Sequence, residues 1–352
     1  MSGDSGLSRN KRTTIRQSTI PVANLAELTL PGLRFVPPVA LAPLAGITDL
    51  PFRQLVGRFG AGWVVSEMVA SQEMVQSKPG VREKAELGFD QVNTAVQLAG
   101  REAFWMAEAA RMVEANGARM IDINMGCPAK KVTNGYSGSA LMRDLDHALT
   151  LIEAVVSAVK VPVTLKTRLG WDDAALNAPV LAQRAEAAGI ALITIHGRTR
   201  CQFYKGQADW AAIHAVRAAV SIPVIANGDI TDGASARAAL DQSGASGVMI
   251  GRGAQGRPWQ LAQIGHDLCG TPAPQIPTGS DLYDMVSAHY EAMLMFYGTV
   301  LGLRVARKHL GWYMDTAATP ANLRQAVLTA STPAAVLRLL PQALGQNRQA
   351  AA

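Results

Sequence analysis

The chain has 352 residues, 49% of them hydrophobic and 17% charged, which is enough for one large core and a smaller one. Its three cysteines (Cys127, Cys201, Cys269) are odd in number and far apart, which excludes a disulfide framework and a paired Cys-x-x-Cys metal site and points to a reducing cytoplasm. No apolar run approaches the roughly 18 residues that span a bilayer, no signal-peptide core opens the chain, and a formal net charge of +6 permits a nucleic-acid partner without establishing one.

Taken in order, residues 1–33 form a basic extension, with Arg9, Lys11, Arg12 and Arg16 close together, and are expected to be disordered. From Val39 onward short apolar runs at 39–43, 63–66, 92–98, 120–124, 161–166, 191–195, 222–226 and 246–250 alternate with alanine-rich amphipathic stretches such as 102–116, 139–159, 175–188, 208–219 and 232–241. Continuous apolar strands separated by helices specify a parallel sheet covered on its outer side. Eight such units over residues 34–270 predict a (β/α)₈ TIM barrel rather than an open sheet, and no Gly-x-Gly-x-x-Gly follows the first run. Residues 271–280 are a Pro-rich linker. Beyond it Leu282, Met285, Val286, His289, Tyr290, Met293 and Leu294 recur at helical spacing, predicting a C-terminal helical bundle over 281–342 and a tail at 343–352. Met285, Met293 and Met295 are expected to pack in its core.

Active sites of such barrels form at the C-terminal ends of the strands, and the polar residues that fall there form a set. The fourth run leads into Asn124-Met125-Gly126-Cys127-Pro128, a strand that ends in a thiol pinned by a proline. Lys130 and Lys131 follow, and positive charge near a sulfur favours its thiolate. Gln97 ends the third run, and its amide suits the edge of a pyrimidine-like ring. Lys166, followed by Arg168, ends the fifth, where an ammonium can stabilise negative charge on a reduced flavin or form a Schiff base. His196 ends the sixth, where it could meet a ring, a substrate or a phosphate. Asn227-Gly228-Asp229 and Gly251-Arg252 end the last two, matching the usual phosphate site of the barrel, and Arg252 can add a bidentate clamp. Pro43, Leu44 and Ala45 after the first run leave room for a flat ligand. Jointly the set favours a phosphate-tailed planar cofactor, FMN, across the barrel mouth.

At these residues the sequence resembles the tRNA-dihydrouridine synthase family, most closely its bacterial B-type branch. The matching segments include Ala42 to Asp49, Val65 to Met68, Asp122 to Val132, Gly138 to Leu141, Thr194 to Arg200, Pro223 to Ile230, Met249 to Arg252 and Arg304 to His309, in order from about residue 34 to 340. Leu44 stands where a methionine is common. The resemblance implies FMN-dependent, NADPH-driven reduction of the uracil C5=C6 bond in tRNA, with hydride from flavin N5 to C6 and a proton from Cys127 to C5. It places Pro43, Leu44, Ala45, Gln97, Lys166 and His196 about the flavin, and Asn227, Gly228, Asp229, Gly251 and Arg252 at its phosphate. Asn124 and Arg168 are candidates for the uracil edge. Arg304, Arg307 and Lys308, at i, i+3 and i+4, are candidates for gripping RNA. The segment Thr133 to Gly138 is expected to close over the base. No metal is implied, and the chain is expected to be a cytoplasmic monomer. Competing readings are an FMN ene-reductase or dihydroorotate-type dehydrogenase on a free small molecule, a non-catalytic RNA-binding protein on the same fold, and a barrel aldolase using Lys166.

Overall fold

The structure, a computed structural model, describes residues 27–78, 80–88 and 93–345. A short antiparallel hairpin comes first, β1 (Leu28–Leu30) with β2 (Leu33–Phe35). Then β3 (Val39–Leu41), α1 (Leu50–Phe59), β4 (Trp63–Val65), β5 (Val69–Ala70), α2 (Ser71–Val75), β6 (Thr94–Ala99), α3 (Ala103–Ala115) and β7 (Ile121–Met125) lead to the thiol. After it come α4 (Lys130–Thr133), α5 (Leu145–Ala158), β8 (Val163–Arg168), α6 (Ala178–Ala187), β9 (Leu192–His196), α7 (Ile213–Ala219), β10 (Val224–Asn227), α8 (Gly233–Ser243), β11 (Gly247–Ile250) and α9 (Gln260–Cys269). The eight expected runs are the eight barrel strands. All pair in parallel, and the ring closes because β3 bonds both β4 and β11 while β4 also bonds β6. β5 is an extra two-residue strand against the end of β6.

The strands are buried on both sides, so side chains alternate between two environments. Residues such as Val96, Leu98, Ile121, Ile123, Leu165, Ile193 and Val248 point outward into one cluster with the helices. Their neighbours point inward. At the N-terminal end these are apolar (Ala40, Trp63, Ala95, Met120, Leu192, Ile225, Met249) and pack with Leu28, Leu30, Leu33 and Phe35 of the hairpin. The hairpin therefore stoppers the barrel floor, with Phe35 and Trp63 ring centroids 4.7 Å apart. This corrects the reading of residues 1–33 as wholly disordered. Leu28-Thr29-Leu30 alternates with period two, but three residues are too few to register as a strand without the barrel beneath them. The basic residues Arg9 to Arg16 lie outside the described residues.

Two further expectations are refined. The stretch 139–159 breaks at Asp144, whose carboxylate caps α5 by accepting the His147 amide, and a 3₁₀ turn (Gly138–Arg143) precedes it. Residues 208–212 do not join α7, because the Asp209 amide donates to the Gly197 carbonyl and Trp210 Nε1 to the Gly228 carbonyl, tying them to the barrel mouth.

The helical bundle is α10 (Gly279–Tyr297), α11 (Thr299–Thr316), α12 (Ala321–Thr329) and α13 (Pro333–Ala343), around Val286, Tyr290, Met293, Leu310, Tyr313 and Leu340. The last two residues of the Pro-rich stretch already belong to α10. Met293 is core and Met285 lies at its edge, but Met295 is 87% exposed, on the outer face of α10. No helix among the described residues is long and apolar enough to cross a membrane.

Candidate active site

At the barrel mouth the inward side chains turn polar, and they hold one another. Asp122 on β7 accepts hydrogen bonds from Thr164 Oγ1 at 2.6 Å and Gln97 Nε2 at 2.7 Å. Gln97 in turn accepts from Asn124 Nδ2 at 2.7 Å, and Asn124 Oδ1 accepts the backbone amides of Gly126 and Cys127 at 3.2 and 3.0 Å. The chain of bonds thus runs from the strand interiors to the thiol-bearing loop, with the Asp122, Thr164, Gln97 and Asn124 side chains all buried. Such a satisfied polar network fixes geometry, because each unmade bond in this low dielectric would cost about 1–3 kcal/mol.

Cys127 is half-buried. Its carbonyl accepts from the amide and hydroxyl of Ser139, at 3.1 and 2.9 Å. Gly138 lies against it with φ +60°, and a Cβ there would come within 2.8 Å of the Cys127 oxygen, so only glycine fits. Lys130 and Lys131, expected to polarise the sulfur, sit exposed on α4. The cations that couple electrostatically to Cys127 are Lys166 and Arg168 on the neighbouring strand.

Lys166 pairs in register with Asn124 and donates to Asn227 Oδ1 at 3.0 Å. It makes no ion pair with Asp122. Burial first, and then the Arg168 charge, pull its ammonium down to about 8. Burial likewise pushes the Asp122 carboxyl up. His196 lies beside the Arg198 guanidinium at 3.3 Å, and burial together with Lys166, Arg168, Arg198 and Arg252 holds its imidazole well below its ordinary value, hence neutral.

Asn124 and Arg168, expected at a uracil edge, spend their polar groups on the protein's own frame. Arg168 is 1% exposed and donates to the carbonyls of Gly126, Thr199 and Phe203 at 2.8, 2.9 and 2.8 Å. It ties the thiol loop to the loop after β9.

The turns after β10 and β11, where a phosphate site is expected, leave backbone amides unbonded. Among the described residues, the amides of Gly228, Asp229 and Arg252 donate to no backbone carbonyl. Gly228 has φ +114°, and a Cβ on it would strike the His196 ring at 2.8 Å. Asp229, also at positive φ, is gripped by Arg198 and by Arg252 Nη2 at 3.0 Å; burial raises its carboxyl, but the Arg198 bonds prevail and keep it low. Leu44 comes within 3.7 Å of the position a Gly251 side chain would take, so the first and last strand ends meet here. Free amides, the exposed Arg252 guanidinium and a buried lysine behind them are a donor set of the kind that fits the phosphate and ring of FMN, while Arg198 is spent on Asp229 and the Lys205 and Gly206 carbonyls.

Three participants were not singled out as site residues in the sequence, although Glu67 falls within the matching segment Val65 to Met68. Tyr204 lies 5.5 Å beneath both the Arg168 and Arg252 guanidinium groups. Trp171 is sandwiched between Arg143 and Arg200 at 4.2 and 4.7 Å. Glu67 accepts the Gly46 amide and so fixes the Pro43 to Gly46 loop. On the helical bundle, Arg304, Arg307 and Lys308 are exposed on α11, and Lys308 Nζ lies 3.5 Å from the Gly46 carbonyl. The basic face therefore borders the mouth.

Fold and site together define an α/β barrel with a polar, cation-lined mouth. Histamine dehydrogenase from Rhizobium sp. 4-9 has a similar fold, with a TM-score of 0.54 at 13% identity over 77% of this chain and 51% of that one, a likeness of fold alone. The family model for dihydrouridine synthase matches residues 40–349. A Rhodobacter capsulatus protein named probable tRNA-dihydrouridine synthase is 65% identical over 324 residues, covering 92% of this chain and 99% of the relative. The tRNA-dihydrouridine synthase B of Xanthomonas axonopodis pv. citri is 46% identical over 303 residues, 86% of this chain and 91% of that protein. The chain belongs to the dihydrouridine synthase family.

Proposed function

We propose that this chain reduces the C5=C6 bond of a uridine in tRNA, using FMN and NADPH, with Cys127 as proton donor. The observation that carries the reading is the fixed Cys127 loop beside the buried Lys166, facing a mouth lined with free amides. FMN, when bound, supplies the hydride that adds to C6, and NADPH restores it.

The chain's residues do the rest. Asn227, Gly228, Asp229, Gly251 and Arg252 would hold the cofactor phosphate, while Pro43, Leu44 and Ala45 would pack against the ring. Gln97, which keeps one amide hydrogen free, would meet the ring edge with Lys166 and the neutral His196. Lys166 would supply positive charge where negative charge develops. Cys127 gives its thiol proton to C5, and solvent reprotonates the sulfur. Asn124 and Arg168 position Gly126 and Cys127, so their effect on the base passes through the loop. The Thr133 to Gly138 segment would close over the base.

A stacked uridine must be extruded to reach this mouth, at a cost of a few kcal/mol. Arg304, Arg307 and Lys308 would offset it by gripping the RNA backbone beside the mouth. Replacing all three with alanine should flatten the salt dependence of tRNA binding by roughly 2–3 in log–log slope, with flavin retained. The cytoplasm, which holds tRNA, suits the three free cysteines, and nothing in the reading needs more than one copy of the chain.

The deciding experiment measures the visible spectrum of the purified protein and then NADPH oxidation with unmodified tRNA, for wild type and Cys127→Ala. Flavin bands with tRNA-dependent turnover that collapses in the variant support the reading. Turnover on free uridine would favour a small-molecule reductase instead, and absence of flavin after reconstitution would overturn the mechanism.

A further inference from the structure

Away from the barrel mouth, a second polar cluster lies buried where α1 meets α10 and α11. Asp49, at 1% exposure, caps α1 with one oxygen, accepting the Phe52 amide at 3.0 Å; its other oxygen, Oδ2, makes no hydrogen bond of ordinary length, and the Tyr297 hydroxyl is the further polar group that acts on the carboxylate. His289, at 4%, bonds the Tyr313 hydroxyl through Nδ1 at 2.9 Å, leaving Nε2 without a partner. His309, at 0%, makes no hydrogen bond of ordinary length through either ring nitrogen, and the Ile47 backbone is the polar group that acts on its ring. Ligand atoms of the three residues lie within 4.8 Å of one another. Orphaned polar atoms at such depth are rare, since each forfeits hydration without recovering a bond.

We infer that Asp49, His289 and His309 form a binding site for one divalent transition-metal cation, of which zinc is the best fit. Two imidazoles and a carboxylate are a common donor set for zinc. The arrangement also has the outer partners that metal ligands use. Tyr313 fixes the His289 ring so that Nε2 faces the cluster, and the Phe52 amide fixes the Asp49 carboxylate so that Oδ2 does. Zinc–ligand bonds of about 2.0–2.1 Å in a tetrahedral shell set ligand atoms about 3.3 Å apart. Closing the cluster therefore asks for side-chain shifts of about an ångström. The surrounding charges permit a cation. Among the described residues two cations act on the cluster: the buried Arg53, which is occupied by the Thr48 and Glu86 carbonyls, and the exposed Lys308, which acts on His309; the buried Glu67 adds negative charge to that of Asp49.

Position gives the site its consequence. Asp49 belongs to the barrel and follows directly on the Pro43 to Gly46 loop; both histidines belong to the helical bundle. A bound cation would staple the bundle, and with it Lys308 at Gly46, to that loop. The sequence carries no spaced metal motif because its ligands come from two domains.

The test uses the whole protein with its flavin, stripped of metal with a chelator and then given zinc or cobalt(II). One equivalent per chain should bind. Cobalt should give d–d bands to the red of the flavin absorbance with no sulfur-to-cobalt charge-transfer band, and zinc in about a hundredfold excess over Kd should raise Tm by roughly 5 °C. His289→Gln and His309→Gln should each abolish both effects, while Cys201→Ser/Cys269→Ser should keep them. Asp49→Asn retains the cap and weakens binding, which keeps the test usable if a histidine variant misfolds. Folded wild type showing neither bands nor a Tm shift would overturn the site, as would signals that survive both histidine variants or vanish with the cysteines.

Discussion

The two ends of the barrel are made by the same strands and are chemically opposite. On β9 the inward positions read Leu192, Thr194, His196 from floor to mouth; on β7 Met120 below the strand gives way to Asp122 and Asn124; on β10 Ile225 gives way to Asn227. The floor is closed by burial of Leu28, Leu30, Leu33 and Phe35 against apolar strand ends. The mouth is closed by reciprocal hydrogen bonds among groups that would be costly unpaired. The lesson is that one strand can serve stability at its start and chemistry at its finish, with a change of residue type every second position and no change of backbone.

That division can be broken experimentally. Cys127→Ala should lower tRNA-dependent turnover about 10²–10⁴-fold with the midpoint of thermal unfolding nearly unchanged; an unaffected rate would take the acid away from this residue. Phe35→Ala, at the floor, should do the reverse. Losing a fully buried ring costs about 3–5 kcal/mol, read as a fall in denaturation midpoint, while kcat of the folded fraction stays put. Asn124→Ala sits between them. It releases the amides of Gly126 and Cys127 and should slow turnover about 10–100-fold through misplacement of the thiol, a loss that Asn124→Asp would repair only in part because the donor to Gln97 is gone.

A smaller effect comes from pH. Lys166 is pulled from 10.5 to about 8 in the fold, so its charge is complete below about 8 and is lost above it. Turnover that needs this charge should fall about tenfold by pH 9, and Lys166→Arg should move the fall upward. Stability runs the other way. Between about 8 and 10.5 the unfolded chain still holds a proton that the folded one has released, so the fold gains stability as pH rises through that window. The smallest effect is expected at Thr29, on the exposed face of the floor hairpin, where Thr29→Ser should stay within about 0.5 kcal/mol. A larger change there would show that the hairpin contributes more than its buried face.

The sequence by itself determined the eight strands, the helical bundle and the strand-end positions of Gln97, Cys127, Lys166, His196, Asn227 and Arg252. Continuous apolar runs and period-3.6 apolar patterns are local, and in a parallel barrel the end of each strand has only one place to be. What Asn124 and Arg168 touch was decided by tertiary structure, because register across β6, β7 and β8 brings Gln97 to Asn124 and Asn124 to Lys166 from positions far apart in the chain. The same holds for Tyr204 under two arginines, for Lys308 at Gly46, and for Asp49, His289 and His309. The hairpin stopper is the plainest case. Three-residue strands carry too little pattern to be read alone, and only the apolar floor they cover makes Leu28 to Phe35 fold.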